Sequence, residues 1–219
     1  MDMHDVIICT TAVDRPDLHK ETFPTYLKFL DGVDFHWLIH INNAFGKVSD
    51  TVDGLKEILP QDSSYEFILS DEGGTNIDFF NAGKKLIEEC TNYKSKYGVL
   101  WLEDDWNYFG NDKLIDIVGD DYTYLQLVKK GKGPSMNDEP SFNPGLFSWD
   151  VVKNIMQPNM KRTEHYYYNK NPERCALFTD DGMKAVVVDN HVIKPNFNDK
   201  GRPWMKENHG GQRAFRVNV

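Results

Sequence analysis

Short apolar runs alternate with amphipathic stretches through the first half of the chain, and this alternation limits the fold more than any other feature. The apolar runs have the length and β-branched composition of buried strands and lie at residues 6–10, 35–42, 66–70 and 99–102. The stretches between them carry apolar side chains at helical spacing and lie at 17–30, 48–59 and 76–90. Strands separated by helices pair in parallel. The sequence therefore predicts an α/β fold with a mostly parallel central sheet flanked by helices.

A few residues stand out within these predicted elements. Pro24 interrupts the first helical pattern and is expected to kink that helix or split it in two. Gly83 weakens the third helix, which suggests that another backbone or a ligand approaches closely there. His36 and His40 lie inside a strand pattern with no nearby acids, so we interpret both as structural.

The second half of the chain follows a different pattern. Strands are predicted at 122–128, 175–179 and 185–188, a polar loop at 129–143, a short helix at 147–156, and a basic, glycine-rich tail at 196–212. No internal repeat is present. We therefore interpret residues 1–219 as a single domain whose second half forms a smaller subregion.

Composition narrows the class of protein. The net charge of −9 and the pI of about 5.2 argue against a nucleic-acid surface or an anionic membrane as the main partner. The three cysteines are widely spaced and form no metal-ligand pattern, which fits a reducing compartment. No apolar run approaches the length of a membrane span, and the first residues lack a signal-peptide profile. We therefore expect a cytoplasmic protein without a membrane anchor.

Three consecutive acids follow the fourth apolar run: Glu103, Asp104 and Asp105. Carboxylates at the end of a buried strand repel one another, so a cation is expected beside them. Mg²⁺ and Mn²⁺ are held by one or two carboxylates together with substrate phosphates, and ligands of open α/β sheets bind at the carboxyl ends of the strands. The alternative is the start of a solvated loop, but Trp106 follows at once and favours a built site.

The turn after the first strand is where a nucleotide usually binds in such folds. Residues 11–16 contain neither the G-x-G-x-x-G nor the G-x-x-x-x-G-K-[ST] pattern. The sequence therefore supports neither a Rossmann dinucleotide site nor a P-loop.

Taken together, these patterns resemble a glycosyltransferase of the GT-A fold. The residues that carry the resemblance are Thr10, Thr11, Arg15 and Pro16 after the first strand, Asn76 and Asn81 to Gly83 on the third helix, Glu103 to Asp105 as a variant of the Asp-x-Asp motif, and, in the second half, residues 143–147, 179–181, 201–204 and His209. They span nearly the whole chain. The chain is similar to small soluble transferases encoded by bacteria and by large DNA viruses, including algal viruses.

The resemblance implies a GT-A (nucleotide-diphospho-sugar transferase) fold with a donor and metal half at 1–106 and an acceptor half with a closing C-terminal tail at 107–219. Asp105 would bind a metal ion that bridges the two phosphates of a nucleotide sugar. The residues implied for the nucleotide sugar are Thr10, Thr11, Arg15, Asn76, Asp78, Asn81, Glu103 and Asp104. For Arg15, a surface ion pair with Asp14 or Asp17 is the alternative.

The resemblance also assigns roles in the tail and in the acceptor half. His209 resembles a C-terminal histidine that completes the metal shell, which favours Mn²⁺ over Mg²⁺; a solvated histidine is the alternative. Arg202, Lys206 and Arg213 form a local basic cluster suited to clamping a diphosphate. Asp181, or else Asp180, would be the base that accepts the proton of the acceptor hydroxyl in an inverting reaction. The alternative for Asp180 is a helix N-cap.

The resemblance thus implies a metal-dependent, inverting glycosyltransferase that moves a hexose from a UDP-sugar such as UDP-glucose to a hydroxyl of a glycan or glycoconjugate. A viral enzyme would work in the host cytoplasm. One alternative is a sugar-phosphate nucleotidyltransferase, although residues 11–16 lack the glycine-rich loop of that class. The other is a non-catalytic carbohydrate-binding module on the same fold. No residue distinguishes UDP from GDP.

Overall fold

The computed structural model describes residues 3–70, 76–118, 124–127, 144–149, 152, 166–168, 175–178, 185–188, 191–193 and 197–210. Within these ranges only the backbone is described for residues 76–80, 124, 126, 166–168, 175–178, 185–188 and 191–193.

The helices and strands follow the predicted alternation in the first half of the chain. The strands are β1 (Met3–His4), β2 (Val6–Val13), β3 (Phe35–Asn42), β4 (Ser64–Ser70), β5 (Lys94–Ser95), β6 (Val99–Trp101), β7 (Trp106–Tyr108), β8 (Tyr124–Gln126), β9 (Gly145–Phe147), β10 (Tyr166–Tyr168), β11 (Cys175–Phe178), β12 (Ala185–Val188), β13 (His191–Ile193) and β14 (Phe197–Asp199). The helices are α1 (Pro16–Phe29), α2 (Val48–Ile58), α3 (Asn76–Cys90), α4 (Leu114–Ile117) and α5 (Gly201–His209).

A seven-stranded sheet forms the centre of the molecule, in the order β13-β8-β9-β6-β2-β3-β4. Its neighbouring strands are parallel except for β9, which is antiparallel to both β6 and β8. Smaller sheets pair β1 with β5 in parallel and β7 with β14 in antiparallel, and β10 to β12 form a three-stranded antiparallel sheet. The predicted α/β fold with a mostly parallel central sheet is confirmed.

The central strand β2 is buried along its whole length because helices cover both of its faces. Val6 and Ile8 pack in one apolar cluster with residues of α1 and α2. Ile7 and Cys9 point to the other face and pack with residues of α3. This arrangement explains the continuous apolar run in the sequence, since a parallel strand covered on both sides has no solvent-facing positions.

Three expectations about local structure are corrected. Helix α1 is continuous from Pro16 to Phe29, so Pro24 does not split it. Strand β9 extends to Phe147, so the predicted 147–156 helix does not include its first residue; beyond it the backbone is helical at residues 149 and 152, and the Val152 N–H donates to the Ser148 carbonyl oxygen at 3.1 Å. The basic, glycine-rich tail at 196–212, for which the sequence predicts no regular element, contains strand β14 and the nine-residue helix α5.

Two further properties concern the described part of the chain. Within it, no helix has the length and apolar character required to cross a membrane. Cys9 and Cys90 are both buried and form no disulfide.

Candidate functional site

The acidic segment lies at the carboxyl edge of the central sheet, beside the end of β2. The backbone N–H of Leu102 donates to the Cys9 carbonyl oxygen at 3.0 Å, and the N–H of Asp104 lies 3.4 Å from the Thr11 carbonyl oxygen. The segment after β6 therefore continues alongside β2. This contact places all three acids at the edge where ligands of open α/β sheets bind.

Asp104 is buried, and both of its carboxylate oxygens are occupied. Oδ1 accepts a hydrogen bond from Arg15 Nη2 at 2.8 Å. Oδ2 lies 2.8 Å from His19 Nε2 and accepts the Val13 N–H at 3.2 Å. Burial alone would raise the pKa of Asp104, but the charge of Arg15 and the hydrogen bond with His19 hold that pKa below its ordinary value. Asp104 is therefore held inside the protein by Arg15, His19 and the Val13 N–H, and it anchors the acidic segment.

One face of α1 supplies the groups that hold the acidic segment. His19, Thr22 and Tyr26 follow one another at spacings of three and four residues, which places them on the same side of the helix, and Arg15 precedes them as the N-cap of α1. Thr22 Oγ1 donates to the Asp104 carbonyl oxygen at 2.8 Å. The Tyr26 hydroxyl lies 2.6 Å from the Glu103 carbonyl oxygen and accepts the Trp106 N–H at 3.1 Å.

The sequence reasoning missed His19, Thr22 and Tyr26. The signal that could have found them is a row of polar groups on the face of α1 that otherwise packs into the core. All three side chains are buried, and buried polar groups require partners.

Asp105 differs from Asp104 because its side chain remains 26% exposed. Its Oδ2 lies 3.3 Å from Arg15 Nη2. Its backbone carbonyl oxygen accepts the N–H groups of Lys200 and Gly201, at 2.7 and 3.2 Å. Burial raises the pKa of Asp105 to about 6, the negative charges of Asp104 and Asp199 add to the rise, and Arg15 opposes it. Asp105 thus carries a destabilised charge next to the start of α5.

Glu103, the first acid, faces the following aromatic residue. Its Oε2 accepts a hydrogen bond from Trp106 Nε1 at 2.6 Å. This contact gives Trp106 a role at the site. The aromatic residue directly after the acids orients the Glu103 carboxylate.

Helix α5 packs against the same edge of the sheet through a small aromatic cluster. The guanidinium carbon of Arg15 lies 5.6 Å from the ring centre of Trp204. Phe45 contacts Trp204 and stacks on His209, with ring centres 5.6 and 4.6 Å apart. Asp14 holds the turn that carries Phe45, since its carboxylate accepts the backbone N–H groups of residues 44, 45 and 47. Arg15 thus links the acids to α5.

His209 lies at the opposite end of α5 from Asp105. Gly201 contacts Asp105, and the nine residues from Gly201 to His209 place the two ends of the helix roughly 12 Å apart. Asp105 and His209, the two predicted metal ligands, are therefore not brought together. Among the described residues, no group of three or more histidine, cysteine or acidic side chains is arranged to hold a metal ion.

The residues near the sheet that were predicted to bind the nucleotide sugar have different surroundings in the structure. Thr10 is fully buried, and its hydroxyl accepts a hydrogen bond from Trp37 Nε1 at 2.9 Å, so the structure gives it a contact in the core. Thr11 is buried, and its Oγ1 has no hydrogen-bond partner among the described residues. Arg15 is buried in its ion pairs with Asp104 and Asp105, so the surface ion pair with Asp14 or Asp17 is not formed.

The remaining predicted residues are more exposed or lie outside the described part of the chain. Asn81 is exposed on α3, and Asn76 and Asp78 are in the first turn of that helix, where only the backbone is described. Arg202 pairs with Asp199 at 2.9 Å, and Lys206 is exposed on α5. Three predicted site residues lie outside the described part of the chain: Asp180, Asp181 and Arg213.

The first residue of α5 must be glycine for the helix to approach Asp105. A Cβ atom at Gly201 would lie 2.0 Å from Asp105 Oδ2 and 2.9 Å from Asp105 Cβ. We expect Gly201→Ala to lower the free energy of unfolding by about 1–3 kcal/mol, because the aspartate must leave Arg15 or the helix must move. Urea denaturation measures the change.

Gly54→Ala in α2 is the matched control. The added methyl group would meet only Lys20 Cε at 3.9 Å, an ordinary contact. This variant should gain about 0.5–1 kcal/mol from helix propensity. Equal stabilisation of both variants would contradict the close approach of α5 to Asp105.

Comparison with known proteins gives a likeness in fold. No known protein family and no curated protein matches this sequence. The solved structure of the mannosyltransferase PcManGT from Pyrobaculum calidifontis, in complex with GDP-Man and Mn²⁺, superimposes with a TM-score of 0.51 at 9% identity, over 70% of this chain and 47% of the mannosyltransferase. The chain shares its fold with a glycosyltransferase.

A second solved structure covers more of both proteins. HddC from Yersinia pseudotuberculosis superimposes with a TM-score of 0.50 at 13% identity, over 90% of this chain and 93% of HddC. In contrast, this chain spans about half the length of the mannosyltransferase. At these identities the likeness establishes a GT-A-like fold. The resemblance to viral enzymes has no support from these comparisons.

Proposed function

We propose that the protein is a glycosyltransferase that takes a hexose from a nucleoside diphosphate sugar, with UDP-glucose as the first donor to test, and transfers it to a hydroxyl of a glycan or glycoconjugate. The observation that carries the proposal is the state of Asp105. It is a partly exposed carboxylate at the carboxyl edge of the central sheet, with a raised pKa and contacts to both Arg15 and α5. Perturbed carboxylates in such positions mark functional sites.

The unequal surroundings of the two aspartates support this assignment. Asp104 has its oxygens taken by Arg15, His19 and Val13. The Asp105 side chain remains 26% exposed. One acid thus fixes the segment, and the other is presented for binding.

Mn²⁺, with Mg²⁺ as the alternative, is the cofactor that the GT-A resemblance implies, and Asp105 is the described residue that would hold it. The fit is limited to this one carboxylate, which is sufficient where substrate phosphates and water supply the other ligands. A bound divalent ion would neutralise the charge that develops on the departing nucleoside diphosphate. The solved mannosyltransferase that shares the fold contains GDP-Man and Mn²⁺, which supports the same pairing here.

The chain's own residues would bind and orient the donor. Arg15 holds the Asp105 carboxylate in place through its contact at 3.3 Å. Arg202 and Lys206 are exposed on α5 and would pair with a diphosphate at this edge. Asp181, or else Asp180, stays our candidate for the base that takes the proton of the acceptor hydroxyl in an inverting reaction.

A thermal-shift screen tests the donor class and the cofactor together. UDP-, GDP-, dTDP- and CMP-sugars are each added with and without Mn²⁺. We expect one nucleotide sugar to raise the melting temperature only when metal is present. Saturation at 100 times the dissociation constant would add about 2.7 kcal/mol, or roughly 5–11 °C for a chain of this size.

Asp53→Asn is the control for the charge change, because Asp53 is an exposed acid on α2. It should respond to the donor as the unmodified protein does, whereas Asp105→Asn should lose the response. A chain that responds to none of the four donors but retains affinity for a glycan would be a carbohydrate-binding module. Equal shifts of the melting temperature with and without Mn²⁺ would contradict the proposed requirement for a metal ion in donor binding.

A further inference from the structure

Strand β4 forms one edge of the central sheet and has an open side. It pairs with β3 over its seven residues and, among the described residues, with no other strand. Natural edge strands are usually protected by proline, lysine, a bulge or very short length. The sequence of β4, Ser-Tyr-Glu-Phe-Ile-Leu-Ser, contains neither proline nor lysine, and its single charge is that of Glu66.

The hydrogen bonds of β4 show which backbone groups face outward. The Asn43 N–H donates to the Ser70 carbonyl oxygen at 3.2 Å. In a parallel ladder, alternate residues direct their N–H and C=O to the same neighbour. The even-numbered residues of β4 therefore bond to β3, and the N–H and C=O groups of Tyr65, Phe67 and Leu69 point away from the sheet.

The same three residues share one face of the sheet. Tyr65 and Phe67 pack against the cluster formed with α1 and α2, and their rings lie 5.4 Å apart. Leu69 follows on that face by strand alternation. It is 53% exposed, which is unusual for a leucine next to a core. An apolar stripe thus runs along the open edge.

We propose that β4 pairs with β4 of a second copy of this chain, antiparallel and centred on Phe67. In this register Tyr65 lies opposite Leu69 of the second copy, Phe67 lies opposite its own equivalent, and every outward N–H and C=O of the three residues gains a partner. The two seven-stranded sheets join into one of fourteen strands.

Self-complementarity identifies a second copy as the occupant. When the two-fold axis passes through Phe67, all seven residues of β4 lie opposite residues of the second copy. An axis through Glu66 would instead place two carboxylates opposite each other. With Phe67 at the centre, Glu66 lies opposite Ile68 and its charge meets no like charge. The interface is isologous and closes on itself. This inference does not depend on the proposed function.

Light scattering after size-exclusion chromatography, from micromolar to millimolar concentration, gives the first test. We expect a mass that rises toward twice 25.3 kDa with concentration. Leu69→Lys should raise the dissociation constant of the dimer by about tenfold or more, since lysine blocks edge pairing. Phe109→Lys is the matched control, because Phe109 is also 53% exposed but lies outside β4.

Amide hydrogen exchange of the unmodified protein, followed by NMR, gives the second test and requires no variant. The amides of Tyr65, Phe67 and Leu69 should become protected as concentration rises, while the even-numbered amides of β4 stay protected throughout. A single-chain mass at every concentration would overturn the proposal. So would a dimer that Leu69→Lys leaves intact, or one whose odd-numbered β4 amides exchange freely.

Discussion

Replacing Asp104 with asparagine is expected to lower the free energy of unfolding by about 3–5 kcal/mol, because the change leaves the buried Arg15 guanidinium without its main counter-charge. Asp104 and Arg15 are both almost fully buried, and their contact is 2.8 Å long. The substitution also disturbs the contact with His19 and the hydrogen bond from the Val13 N–H. Urea denaturation followed by tryptophan fluorescence measures the loss.

The matched control is Asp31→Asn, which removes one partner of an ion pair at the surface. Asp31 pairs with Lys113 and both side chains are largely exposed, so the change should cost less than about 1 kcal/mol. The pKa of Asp104 is held below its ordinary value, so its stabilisation is present above a pH of about 4 and is lost as the pH falls further. The difference between the unmodified protein and Asp104→Asn should shrink accordingly. A loss as small as that of Asp31→Asn would contradict the anchoring role.

The sequence predicts the first half of the sheet well because burial leaves a strong pattern there. Strand β3 and helix α3 have the predicted bounds, and β2 extends only three residues beyond its predicted end. A strand covered on both faces requires an unbroken apolar run, and such a run is visible without a structure.

The sequence does not show that Asp104 is a buried anchor whereas Asp105 remains partly exposed. The two residues are adjacent and chemically identical, and their difference arises from α1. That helix places Arg15 and His19 against Asp104, and helix periodicity does not reveal which loop a helical face will meet. The sequence predicts only that Asp104 and Asp105 follow a buried strand.

Helix α5 was missed for a related reason. Its buried residues are Gly201 and Met205, which is too few for an amphipathic pattern. Its position depends on tertiary contacts: the Asp105 carbonyl oxygen accepts its first N–H groups, and Trp204 packs on Arg15. Strand β9 is three residues long and begins with glycine, so propensity gives it little support.

Asp105→Asn should have the opposite effect on stability from Asp104→Asn. The pKa of Asp105 is raised to about 6, and burial is the largest cause. A carboxyl group with a raised pKa binds more protons in the folded state, so stability falls as pH rises from about 4 to about 6. Asparagine carries no charge, and we expect the variant to gain about 1–3 kcal/mol at pH 8 and little or nothing at pH 4.

The same substitution should abolish function, and this combination separates a binding carboxylate from a structural one. Nucleoside diphosphate release from the donor found in the screen should fall by about two to three orders of magnitude, since charge stabilisation at the leaving group is lost. Residues kept for function at the expense of stability show this trade-off. If Asp105→Asn were destabilised at pH 8 and retained activity, Asp105 would be a second anchor like Asp104, and the acids at this edge would bind no donor.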